Sequence, residues 1–186
     1  MIPPLFFKYN SLISTPLFSI IVLSLIKKVP DFSFKKHTVS KSVYFFNKPF
    51  HNFLFRFNFI IKALLDLGFA WYVLYHFHIS QFSLKSMLII ASAILFGSLA
   101  YFVEGKYSLV HKIFTYTGGT LWFLGYLMIS FLTGNNLFIY FSLILLSIPL
   151  ILAYGFLFAS KTNVFIQAIC IGIWYLWITV FVFHYL

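Results

Sequence analysis

Lys62 and Asp66 lie four residues apart inside one apolar run, LFRFNFIIKALLDLGFAWYVLYHFH (54–78). That spacing puts both on one face of a helix. An ionised group at the centre of a bilayer helix costs about 2.5–3.5 kcal/mol on insertion scales. The chain has only three acidic residues, and one of them is here. Counted from Phe57, Asp66 is about 14 Å down the helix axis, near a bilayer midplane. Two chemistries suit the pair. It is either an internal ion pair that neutralises both charges against neighbouring helices, or an ion or proton relay or polar ligand contact.

The remaining candidates are polar residues near the ends of apolar runs. Glu104 ends the third run, about half a membrane away from Asp66, so the two cannot form a paired-carboxylate dyad. Glu104 is expected to pair with Lys106, Lys112 or His111. Together with His111, which opens the fourth run, and Gln167, which needs a partner one turn into the sixth, it makes a polar cluster on the cytosolic side. His76, His78 and His184 fall at the opposite surface and read as interfacial histidines. A metal there is a minor alternative, because His76 and His78 point to different helix faces and no carboxylate supports them. No nucleophile with a neighbouring base, no phosphate-binding glycine loop and no H-E-x-x-H or C-x-x-C motif is recognisable. The sequence leans away from an enzyme and implies no cofactor.

The elements that carry these residues follow from composition. The chain has 186 residues, 62% hydrophobic and 9% charged. Soluble domains carry about 25% charged residues, so the main solvent is lipid. The expected fold is all-α: a single polytopic transmembrane bundle with spans at about 12–26, 57–77, 87–103, 113–132, 137–159 and 164–183. Short connections make sequence neighbours antiparallel. The first span is interrupted by Ser14, Thr15 and Pro16, and it reads as a retained anchor because Lys27 and Lys28 follow it without a cleavage site. Small-residue pairs at Ala93/Gly97, Gly155/Ala159 and Ala168/Gly172, with Gly118-Gly119, read as helix contacts. Trp174 and Trp177 are too deep for an interfacial belt and should pack inward. Cys170, the single cysteine, has no partner for an internal disulfide.

Residues 27–56 are basic and aromatic. Lys27, Lys28, Lys35, Lys36, Lys41, Lys48 and Arg56 make up seven of the thirteen basic residues. Phenylalanines interleaved with lysines suit the headgroup layer, where each nearby Lys or Arg gains about 1 kcal/mol against anionic lipid. Pro30 and Pro49 are expected to break any helix here. Counting Lys106, Lys112 and Lys161, ten basic residues fall on this side against Lys8 and Lys85 on the other. The loop is therefore cytosolic and both termini face out. The net charge of +10 is membrane topology and does not indicate a nucleic-acid partner.

Six short-looped helices, the stretch Thr38-Val39-Ser40 in a long first connection, the FRFNFIIKALLDLGF helix and a histidine opening the fourth helix resemble the Frag/DRAM/Sfk group of six-span membrane proteins, in particular its bacterial branch. Ser40 and His111 are the matching positions. The chain departs from the pattern in placing Lys41, Ser42 and Val43 after the serine, where an acid, a leucine and a glycine are usual. The resemblance implies a role in lipid remodelling or organisation. It also implies a first loop outside the cytosol, opposite to the orientation given by charge.

The leading expectation is therefore a non-catalytic protein of a bacterial inner membrane or plasma membrane that binds or organises lipids with anionic headgroups. The alternatives are a small transporter or channel component using Lys62 and Asp66, and an accessory subunit packed on a membrane-protein partner or a second copy of itself.

Overall fold

The computed structural model describes residues 2–104, 106–158 and 163–186, and the side chains of all of these except 153 and 155–158. The described residues are helical, without a strand. Six α-helices run α1 (Asn10–Ile26), α2 (Pro49–His76), α3 (Leu84–Ser98), α4 (Ser108–Ser130), α5 (Asn136–Phe158) and α6 (Val164–Tyr185), with short 3-10 turns at Leu5–Tyr9, Ser40–Phe45 and Phe131–Thr133. Three stretches are long and apolar enough to cross a membrane: Leu5–Ile26, Pro49–His76 and Val164–Tyr185. Ala159 and Lys161 lie outside the described residues.

Pro49 does not interrupt a helix; it begins one. At the first helical position its missing N–H has no partner to lose and its fixed φ suits the turn, so α2 extends over 28 residues and takes in Arg56. At its far end His78 adopts φ 52°, a left-handed conformation that stops the helix. Ser83 caps α3 by accepting from the Ser86 N–H at 3.2 Å, and Asn163 caps α6 by accepting from the Ile166 N–H at 3.1 Å. α3 stops at Ser98, short of the expected 103, and Leu99, Ala100 and Val103 tuck beneath it as buried turn residues.

Each helix packs on its sequence neighbours, and α6 returns to α1, so the six form a closed ring whose thinnest seam is α1/α6. The ring alternates up and down. Asn58 bonds Phe18 while Asp66 bonds Ser11, so α1 and α2 are antiparallel. Arg56 Nη1 donates to the Ala100 carbonyl at 2.9 Å, joining the start of α2 to the end of α3. Trp177 Nε1 donates to Ser142 Oγ at 2.8 Å, and the Phe138 ring packs tilted against Tyr185 at 4.2 Å, which fixes α5 against α6. Small residues set the close approaches. A Cβ on Gly97 would stand 2.8 Å from that of Ala63, and one on Gly125 would stand 2.7 Å from Ile89.

Two separate cores close the ends of the ring. The far end, where α2, α4 and α6 finish, is filled by Phe69, Val73, Ile129, Phe138, Trp177 and Phe181. The loop end is filled by Phe18, Val22, Phe55, Phe59, Leu99 and Val103, with Phe32, Val39 and Val43 inserted from the basic loop.

Candidate functional site

Asp66 is enclosed by α1. Its Oδ1 accepts from the Ser11 and Ser14 hydroxyls at 2.9 and 3.0 Å, and its Oδ2 takes Lys62 Nζ at 2.6 Å. Lys62 Nζ also lies 3.5 Å from Thr15 Oγ1 and 5.5 Å over the Phe96 ring. The side chains are 9% and 21% exposed, so both charges are largely withdrawn from solvent, neutralised and hydrogen-bonded. Asn58, Lys62 and Asp66 recur every four residues and make a polar stripe on α2. The facing stripe on α1 is Ser11, Ser14 and Thr15; in sequence Ser14 and Thr15 merely interrupt the expected span and Ser11 precedes it. Hydroxyls spaced three and four apart in an apolar helix were the available signal for it.

From this pair a cavity extends through the centre of the ring. Its inner half, about 220 Å³, is bordered by Lys62, Asp66, Ser92, Trp122, Tyr126 and Trp174. The half toward the loop end, about 260 Å³, is bordered by Ser40, His111, Thr115, Tyr116, Tyr154 and Gln167. Phe18, Phe96, Gly119, Trp122, Pro149, Cys170 and Ile171 line both halves, so the two are continuous. The glycine pair of α4 divides its roles. Gly118 rests on Leu95, whereas a Cβ on Gly119 would meet nothing within 4 Å because it faces the cavity. A Cβ on Gly172 would likewise meet nothing within 4 Å, and Ala168 lies one turn before it on α6. They are exposed in an outer groove of about 250 Å³ along the α1/α6 seam, which shares Thr15, Phe18, Val39 and Ile171 with the central cavity.

At the loop end the expected cluster is rearranged. Glu104 accepts a hydrogen bond from the Thr38 hydroxyl, in place of the expected partner among Lys106, Lys112 and His111, and the only ion pair among the described residues is Lys62–Asp66. The reason is that the loop folds back under the ring and brings Thr38 within reach. Gln167 finds its partner in the same loop, since its Oε1 accepts from the Val39 N–H at 2.8 Å. The Val164 N–H donates to the His37 carbonyl at 2.9 Å, and Asn163 Nδ2 donates to the Lys35 carbonyl at 3.1 Å. His111 is 5% exposed, with Nδ1 2.7 Å from the Phe102 carbonyl. Because a carbonyl only accepts, Nδ1 carries the proton and Nε2 of the neutral ring is an acceptor. Burial pushes the imidazole below its ordinary pKa, and the Phe102 carbonyl and Glu104 oppose that only in part.

Lys27, Lys28, Lys35, Lys36, Lys41 and Lys48 are all exposed around this end, as are Phe34 and Tyr44, while Val29, Phe32, Val39 and Val43 turn inward. Arg56 differs from those lysines in that it is spent on Asn52 Oδ1 at 2.7 Å and on Ala100. His76, His78 and His184 are exposed at the far end, and among the described residues no group of three His, Cys, Asp or Glu side chains is placed to hold a metal. Trp174 and Trp177 stack inward at 5.3 Å, with Trp122 edge-on to Trp174 at 4.0 Å.

No family model, curated protein or solved structure matches the chain.

Proposed function

We propose that this chain is a six-span protein of a bacterial inner membrane or plasma membrane that holds a lipid in the centre of its helix ring, with the basic loop at the cytosolic face. The observation that carries the reading is the cavity. Its walls are mostly apolar with a few placed polar groups, the usual make-up of a small-molecule site. Gly119 opens it where any larger residue would fill it. The six exposed lysines around the loop end support contact with anionic headgroups at that surface. Ser40 and His111, the two positions behind the resemblance to the Frag/DRAM/Sfk group, both border the cavity.

The test is native mass spectrometry of protein extracted gently from its own membrane, beside Gly119→Phe. The reading expects lipid-mass adducts on the wild type and their loss in the variant, with helicity retained because the added ring enters open space. A wild type without adducts, or one bound to a stoichiometric second polypeptide, would replace it with an accessory-subunit role.

A transport reading has one observation in its favour, that Lys62 and Asp66 border the cavity. It predicts that Asp66→Asn abolishes a proton- or ion-coupled flux in proteoliposomes, and normal flux in that variant would end it.

A further inference from the structure

The polar groups bordering the loop half of the cavity share a pattern that goes past lipid binding in general. Each is held by the protein on one side and left open on the other. His111 is anchored through Nδ1 to Phe102, which leaves Nε2 as an acceptor. Gln167 is anchored through Oε1 to the Val39 N–H, and its two amide protons make no hydrogen bond among the described residues. Ser40 is 4% exposed, and its hydroxyl, able to donate and accept, has no hydrogen-bond partner among the described residues. None of these open atoms is sealed off, since among the described residues the one fully buried side-chain polar atom without a partner is Ser86 Oγ. Three polar groups with free hydrogen-bonding capacity around one space make a site for a ligand with matching atoms.

The charge balance then selects the ligand. The lysines of the loop are exposed outside this end and do not border the cavity. Among the described residues no Asp, Glu, Lys or Arg side chain borders the loop half, and His111 is the sole imidazole there. In the inner half the sole charges among the described residues are Lys62 and Asp66, which cancel. An anionic or cationic head placed here would keep its desolvation cost with no counter-charge to offset it. An uncharged head with hydroxyl and carbonyl oxygens would instead use the amide protons, the hydroxyl and the imidazole acceptor together.

Resting on the lipid reading above, we infer that the space between Ser40, His111 and Gln167 is a headgroup subsite for an uncharged, single-chain amphiphile such as a monoacylglycerol, whose chain runs past Gly119 and along Trp122 and Trp174. The anionic lipid attracted by the lysines is then a surface partner, distinct from the molecule inside.

Trp122 and Trp174 report occupancy directly, because bromine atoms on an acyl chain quench indole fluorescence on contact. The full-length protein in a neutral detergent is titrated with dibromostearoyl glycerol and, separately, with dibromostearate at pH 8, for the wild type, Ser40→Ala and Gly119→Phe. Ser40→Ala removes only the open hydroxyl and leaves the loop's own hydrogen bonds in place. The inference expects saturable quenching by the glycerol ester at a concentration at least about tenfold below that for the carboxylate, and about fivefold weaker binding of the ester by Ser40→Ala, the loss of one hydrogen bond. Equal binding of the two probes, or a Ser40→Ala curve within about twofold of the wild type, overturns the headgroup assignment while the lipid reading stands. Quenching that does not saturate, or that Gly119→Phe leaves unchanged for both probes, overturns the lipid reading itself.

Discussion

At the far end of the ring, Phe138, Trp177 and Tyr185 each stack on Phe181 and fill the space between α5 and α6. At the loop end, closure depends instead on hydrogen bonds that reach across more than a hundred residues, from the loop at Lys35, His37 and Val39 to the start of α6. Dispersion and burial close the first end, and directional contacts to loop backbone close the second. The first kind of closure is indifferent to small movements and the second is lost when one partner turns away. A protein that must admit a molecule to its centre would open at the second. The polar groups left half-satisfied are found there as well.

The largest effects expected from this contrast are at the buried charges and the aromatic end. Trp177 is 0% exposed, so Trp177→Ala should cost about 3–5 kcal/mol in unfolding free energy, read by thermal melting in detergent. Asp66→Asn should cost a similar amount, about 3–5 kcal/mol, because it leaves Lys62 buried without its counter-charge, whereas Lys62→Met with Asp66→Leu should restore most of that loss. A double variant no better than the single one would show that the pair is retained for something other than holding α1 on α2.

A smaller and more local change is expected at the loop. Gln167→Leu removes the acceptor of the Val39 N–H and should cost about 1–3 kcal/mol. Hydrogen exchange should quicken over 37–43 while the amides of Phe138 and Trp177 stay protected. Exchange that quickened equally at both ends would erase the distinction between them.

The smallest effect is one of pH. His111 holds its proton less tightly when folded than when unfolded, from a usual value of 6.5. Its contribution to stability is therefore complete above about pH 6.5 and is lost as pH falls through the lower folded-state value. Melting should weaken between neutral and mildly acidic pH, and His111→Gln should flatten that part of the dependence.

How much of this was legible in the chain differs between the same two regions. The Lys62–Asp66 pair follows from the i, i+4 rule alone, and Trp174 and Trp177 pack inward as their depth implied. The extents of α5 and α6 agree with the expected spans to within a few residues, because long apolar runs speak for themselves. What surrounds the pair was not legible. Ser14 and Thr15 read as interruptions because a small hydroxyl in a helix is equally content on its own backbone, as Thr15 and Ser19 show. Pro49 is a breaker or a starter depending only on what precedes it. The loop is legible only in part. Its Phe and Lys residues alternate as a headgroup-layer segment would, and Phe34, Tyr44, Phe50 and Phe53 are exposed, yet Phe32, Val39 and Val43 are buried, and Val39 is tied to Gln167 of α6 some 130 residues away in sequence. The cavity was beyond reach for a related reason. Gly118 and Gly119 look alike in sequence, and only the ring determines that one touches α3 and the other faces open space.

The account turns on whether the centre of the ring is occupied by lipid, and the chain carries its own reporter. Cys170, the single cysteine, borders both halves of the cavity. The most direct measurement is the rate at which a membrane-permeant maleimide labels Cys170, followed by intact mass, in protein freshly extracted with its lipid and in the same protein stripped by extended detergent exchange. Slow labelling that becomes markedly faster on stripping, and slow again when lipid is returned, is the predicted result. A single rate under all three conditions would contradict it, and the cavity would then be a packing void and not a site.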